Sequence, residues 1–137
     1  MTTIALVEDD PDERLFITRA IDQLPLEVSV DYFTDGEEAI EGLLGAEKGT
    51  YALILLDLKI PKIDGIGVLN SLGNGKSSRY TPVIVCSGSK SSQDVQRAWE
   101  AGCSGYFAKP DSPTGYREMI QTIVGYWLSP LLVSPEA

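Results

Sequence analysis

Glu8 and Asp9 close one apolar run, Thr2 to Val7, and Asp57 closes a second, Ala52 to Leu56. Ser87 and Lys109 stand at the ends of two later runs. Three ionised carboxylates gathered in one crevice need a counter-ion, because two like charges about 4 Å apart repel by about 4 kcal/mol at an effective dielectric of 20. Hard oxygen donors of this kind suit Mg²⁺, which also neutralises and bridges phosphoryl oxygens. A carboxylate so placed can act as a nucleophile and form an acyl phosphate. A hydroxyl can donate to one phosphoryl oxygen and an ammonium can pair with another. Taken singly each residue has an ordinary reading. Acid runs favour helix N-termini, a strand-end aspartate is usually solvated, and Ser-Gly and Lys-Pro pairs are common in loops. The weight lies in their order on successive strand ends.

The elements that must position them follow from periodicity. Thr2 to Val7 reads as a strand, and Asp10 caps a helix with Pro11 at its first position and Glu13 three residues past the cap, as in a capping box. Phe16, Ile17, Ala20, Ile21 and Leu24 then recur at helical spacing. Leu26 to Phe33 alternates like a more exposed strand, and Asp35-Gly36-Glu37-Glu38 opens a second helix. The run Ala52 to Leu56 is apolar throughout, as in a strand covered on both faces. Asp64 starts a third helix that ends in Gly73-Asn74-Gly75. Val83 to Cys86 predicts the fourth strand, a Ser91 or Ser92 cap the fourth helix to Ala101, and Gly105 to Ala108 the fifth strand. Ser112-Pro113 opens the last helix, with Tyr116, Met119, Ile120, Ile123, Val124 and Trp127 on one stripe.

Strands alternating with helices demand a parallel sheet with right-handed crossovers and helices on both faces. The expected architecture is therefore α/β: a flavodoxin-like, doubly wound, five-stranded parallel sheet of order 2-1-3-4-5 with five helices. Its switch point falls between the first and third strands and brings Glu8 and Asp9 beside Asp57.

Composition narrows the function classes. With 137 residues and 43% hydrophobic content the chain supports one globular core. A formal charge of −9 argues against general affinity for nucleic acid or anionic membranes. No apolar run approaches a membrane span and no basic segment precedes one, so a cytoplasmic location is expected. Cys86 and Cys103 read as buried thiols in a reducing compartment. The absence of histidine excludes Ser-His-Asp and Cys-His triads, His-bearing zinc sites and a phosphohistidine carrier within this sequence.

The stretch Leu53 to Gly65, LILLDLKIPKIDG, resembles the phosphorylation loop of response-regulator receiver domains, the module that takes phosphate from a sensor histidine kinase. With Glu8-Asp9, Ser87 and Lys109-Pro110 in order, the resemblance covers roughly residues 3 to 125. It implies that Asp57 is the phosphoacceptor and that Mg²⁺ is held by Asp9, Asp57 and the Lys59 backbone carbonyl, with Glu8 acting through water. It further implies that Ser87 and Lys109 contact the phosphoryl group, that Lys109-Pro110 is a cis peptide, and that Tyr106 is an aromatic switch. On phosphorylation Ser87 is expected to swing toward the added charge, and Tyr106 to turn into the vacated space. The face made by the fourth helix, fifth strand and fifth helix would then change shape for a downstream target. Lys59 and Ser89 flank the expected site and tune water access. Such a receiver promotes its own phosphorylation and dephosphorylation and has no separate enzymatic output.

Residues 1–127 are read as the receiver domain and 128–137, LSPLLVSPEA, as a C-terminal tail. Together with Tyr126-Trp127, the tail resembles those of phytochrome-associated single-domain regulators, which implies a phytochrome kinase as partner and a homodimer. A frayed, partly docked terminus is the plainer reading. Two other functions compete. An aspartyl-phosphate phosphatase usually carries a second aspartate two residues past the nucleophile, where this sequence has Lys59. A phosphorylation-independent interaction module would not need the acidic, hydroxyl and lysine positions intact.

Overall fold

The computed structural model describes residues 2–73 and 81–133. Five strands run parallel in the order β2-β1-β3-β4-β5. They are β1 (Thr2–Val7), β2 (Val28–Phe33), β3 (Leu53–Leu56), β4 (Val83–Ser87) and β5 (Gly105–Ala108). The helices are α1 (Pro11–Asp22), α2 (Gly36–Gly45), α3 (Gly65–Gly73), α4 (Ser92–Glu100) and α5 (Pro113–Trp127). The expected α/β doubly wound architecture is the one found.

Pleating sorts successive strand residues to opposite faces. Ile4, Leu6, Leu53, Leu55, Ile84 and Cys86 pack with Ile17 and Ile21 of α1 and Tyr116, Ile120 and Ile123 of α5. Ala5, Val7, Ile54, Leu56, Val83 and Val85 pack instead with α2, α3 and Ala98 of α4. Each large side chain so buried contributes roughly 1.5–3 kcal/mol, and this sandwich sets where the strand ends lie. Phe16 stacks on Tyr116 at 5.4 Å and joins the two helices of one layer. Both cysteines are free and buried, and burial pushes the Cys86 thiol up to about 12.

Several boundaries differ from expectation. β2 starts at Val28, because Leu26 is exposed and finds no core to face. β4 runs one residue further, to Ser87, which pairs with Ala108. α3 begins at Gly65, with the Asp64 carboxylate accepting from the Gly67 amide at 2.9 Å. Asn74 and Gly75 of the predicted stop lie outside the described residues. The capping box on α1 does not form: Asp10 caps through the Asp12 amide, and Glu13 is drawn away by a stronger partner described below. No cis peptide is found among the described residues, so Lys109-Pro110 is trans, the isomer that X-Pro bonds favour by about 0.5–1 kcal/mol.

The loop after β3 is shaped by one close approach. A Cβ on Gly65 would lie 2.6 Å from the carbonyl oxygen of Asp57, and the Gly65 amide donates to the Leu58 carbonyl at 2.8 Å. The chain therefore folds back directly under Asp57.

Candidate functional site

The sheet ladders carry on past the strand ends and hold the reactive residues. The Asp57 amide donates to the Val7 carbonyl at 3.0 Å, the Glu8 amide to Phe33 at 3.0 Å, and the Lys109 amide to Ser87 at 2.9 Å. Acids from β1 and β3 are thus fixed at one carboxyl-end rim, opposite the lysine that follows β5.

Lys109 is the hub. Its Nζ lies 2.9 Å from Glu8 Oε1 and 3.1 Å from Asp57 Oδ2, and it also donates to Glu13 Oε2. Glu8 and Asp57 are buried at 2% and 6% exposure, and Asp9 is exposed. One carboxylate oxygen from each of Glu8, Asp9 and Asp57 lies within 4.8 Å of the others. An all-oxygen set of this size, two parts buried and one part open to solvent, fits a hard divalent cation.

The electrostatics follow from this crowding. Burial, the neighbouring Glu13 and the charge of Asp57 push the Glu8 carboxyl up to about 9, against the pull of Lys109. Burial also raises Asp57, with Lys109 opposing it. For Lys109, burial alone would favour the neutral amine, but Glu13, Glu8 and Asp57 more than offset it and hold the ammonium above its ordinary value. A pH signature follows. Folded chains keep the Glu8 proton up to about pH 9, whereas unfolded ones release it near the ordinary 4.5. Between those values the native state binds more protons, so this group's contribution to stability falls as pH rises. Thermal melts in chelator from pH 5 to 9 should show a shallower decline for Glu8→Gln than for the unaltered protein. Parallel curves would rule out the raised carboxyl.

Two contributors were not legible in the sequence. Glu13, expected as a helix cap, enters the site from the first turn of α1. Arg14 donates from Nη1 to the carbonyls of Glu8 and Asp9, each at 3.0 Å, and clamps the loop that presents both acids. Periodicity could not flag them, since both sit on the polar side of an amphipathic helix.

The other expected residues are placed as follows. Ser87 is fully buried at the end of β4, and its Oγ accepts from the Ser89 amide at 3.2 Å. Lys59 approaches through its amide, 3.5 Å from Asp57 Oδ1, and its side chain plays no part in the site's ion pairs. Ser89 Oγ donates to Asp94 Oδ2 at 2.5 Å, which ties it to α4. Tyr106 is half-buried and packs against the α2–α4 core, and its hydroxyl donates to the Ser89 carbonyl at 2.8 Å. The ring is therefore held in a half-buried position, with the Ser89 carbonyl as partner of its hydroxyl.

Comparison with known proteins agrees with this geometry. The family model for the response regulator receiver domain matches residues 4–121. A probable methanogenesis regulatory protein of Methanothrix harundinacea, FilR2, is 34% identical over 128 residues, covering 91% of this chain and 83% of that one. Several other curated relatives are longer: this chain spans 46% of the response regulator ArlR of Staphylococcus saprophyticus. Among solved structures, the phosphorylated cyanobacterial phytochrome response regulator RcpA superposes with a TM-score of 0.88 at 28% identity, covering 98% of each chain. The Mn²⁺-bound form of the response regulator Rcp1 gives 0.86 at 26% identity, covering 98% of this chain and 99% of that one. Sequence match and superposition thus reach the same answer as the strand order, and the chain belongs to the response regulator receiver domain family.

Proposed function

We propose that this chain accepts a phosphoryl group on Asp57 from a sensor histidine kinase and changes a protein-binding face in response. The observation that carries the reading is the 3.1 Å contact between Lys109 Nζ and Asp57 Oδ2 beside the Glu8, Asp9 and Asp57 cluster. In the reaction an Asp57 oxygen attacks phosphorus, the phosphorus–nitrogen bond of the donor phosphohistidine breaks, and the imidazole nitrogen leaves with the bonding electrons. Lys109 balances charge on the transferred group, and the Ser87 hydroxyl donates to one of its oxygens. Asp9, Asp57 and the Lys59 carbonyl would hold Mg²⁺, with Glu8 reaching it through water. Bound there, the cation supplies charge neutralisation for the transferred phosphoryl.

The switch follows from contacts on β4 and β5. Turning Ser87 Oγ toward a phosphoryl group gives up its bond from the Ser89 amide. That frees the segment whose carbonyl holds the Tyr106 hydroxyl, so the α4–β5–α5 face shifts. Incubation with Mg²⁺ and acetyl phosphate should yield one acid-labile phosphate per chain, and its absence at Asp57 would refute the assignment.

The partner reading extends this. Likeness to phytochrome response regulators supports a phytochrome-type kinase as the donor. A phosphotransfer profile against candidate histidine kinases tests the donor, with fast transfer from a phytochrome kinase as the expected result. Residues 1–127 form the receiver and 128–137 a dimerisation tail. Tyr126, Leu131 and Val133 are 59%, 88% and 86% exposed, apolar side chains that a second copy could cover. Trp127 anchors its base by packing edge-on to Phe107, with ring centres 6.4 Å apart. Deletion of residues 128–137 should convert a dimer to a monomer by light scattering, and an unchanged mass would count against the tail.

A further inference from the structure

Lys109 holds more carboxylates than phosphoryl transfer can leave in place. An ammonium has three N–H donors. Here three acceptors take them: Glu8 Oε1 at 2.9 Å, Asp57 Oδ2 at 3.1 Å and Glu13 Oε2. On the reading proposed above, on which this inference rests, a phosphoryl oxygen must also receive a proton from Lys109. Asp57 loses its charge as its oxygen becomes the acyl ester and can hand over its own bond, yet the phosphoryl dianion still meets the two other carboxylates on Lys109 and favours the departure of one.

The three differ in their freedom to do so. Asp57 is the acceptor itself and is buried at the end of a strand ladder. Glu8 is 2% exposed, and its second oxygen accepts from the Asp10 amide at 3.3 Å. Glu13 stands on the first turn of α1, its side chain 25% exposed. It borders an open groove that is also lined by Asp10, Asp12, Phe16, Pro110, Asp111 and Tyr116. It also lies outside the carboxylate cluster suited to a cation, which comprises Glu8, Asp9 and Asp57. We infer that Glu13 is a positioning residue that holds Lys109 in the unphosphorylated chain and is displaced into the α1 groove when a phosphoryl oxygen takes its place. Two consequences follow. Glu13 opposes phosphorylation, because a charge-assisted hydrogen bond must be given up and a like charge moved aside. Its release also adds a free carboxylate to the surface between α1 and the β5–α5 loop each time Asp57 is modified.

The test compares the unaltered protein with Glu13→Gln, which keeps the volume and removes the charge, and with Asp57→Asn as the blank. With Mg²⁺ and limiting acetyl phosphate, Glu13→Gln should be labelled roughly tenfold to a hundredfold faster, the scale of one charge-assisted hydrogen bond. An equal or slower rate overturns the inference. Failure of the unaltered protein to be labelled at all removes the receiver reading instead, and this one with it. A second measurement does not depend on the variant folding. In the unaltered protein, the assigned side-chain carboxyl carbon of Glu13 is followed by NMR while Mg²⁺ and beryllofluoride, a phosphoryl mimic, are added. The signal should move to that of a solvated glutamate, and a signal that stays in its starting position overturns the displacement.

Discussion

Asp57→Asn should reduce incorporation of acid-labile phosphate to background while leaving a folded protein. The reason is local. An amide oxygen carries no charge with which to attack phosphorus, and no neighbouring carboxylate is placed to substitute. Glu8 is buried with one oxygen on Lys109 and the other on the Asp10 amide. Asp9 is exposed and belongs to the cation cluster. The fold is expected to survive because the substitution removes one of two buried acids that repel each other, as well as one of three partners of Lys109. These effects oppose, and the change in stability should be about 1 kcal/mol or less. Radiolabelling followed by acid and base treatment measures the first part, and a denaturant melt the second. Undiminished acid-labile phosphate in the variant would place the acceptor elsewhere and end the proposed mechanism.

The second large effect belongs to Lys109→Ala. Loss of a preorganised donor at a charge-developing site typically costs about a hundredfold to a thousandfold in rate, and the same is expected here for phosphorylation by acetyl phosphate. Stability should respond as well, with a pH dependence that identifies the cause. Without the ammonium, Glu8, Glu13 and Asp57 face one another unpaired. Breaking a buried pair costs roughly 3 kcal/mol when the remaining charge has no escape. Glu8 already keeps its proton to about pH 9 with Lys109 present, so the charges left unpaired at pH 8 are those of Asp57 and Glu13, which lower pH protonates. The variant should therefore remain folded, lying close to the unaltered protein at pH 5 and well below it at pH 8. A deficit of equal size at both values would point to lost packing of the lysine stem instead of unpaired charge. A rate within twofold of the unaltered protein would refute the assigned role.

These expectations connect to the wider surface through α1. Arg14 clamps the carbonyls of Glu8 and Asp9, and the adjacent Glu13 reaches Lys109. One helix turn thus both shapes the acidic loop and balances the site's only cation among the described ion pairs there. The amphipathic back of that helix, Ile17, Ala20 and Ile21, is buried against the sheet, so the turn is held rigidly while its polar residues do the work.

Much of this was determined by the order of residues along the chain. Apolar runs of strand length alternating with 3.6-period stripes left a parallel sheet with two helical layers as the consistent solution, and that solution places Glu8, Asp9, Asp57, Ser87 and Lys109 on strand ends. Local rules carry such inferences because pleat and helix periodicity act over a few residues. Tertiary structure alone decided which partners the polar groups found. A capping box and an ion pair to a lysine 96 residues away are both open to Glu13, and the sequence favours the nearer. The fold brings an ammonium already crowded by buried carboxylates to within reach, and that longer-range attraction wins. The Tyr106 hydroxyl finds the Ser89 carbonyl in the same way, through a contact that exists only once the sheet has closed. Hydrophobic pattern is written residue by residue, whereas the pairing of charges depends on distances that only packing creates.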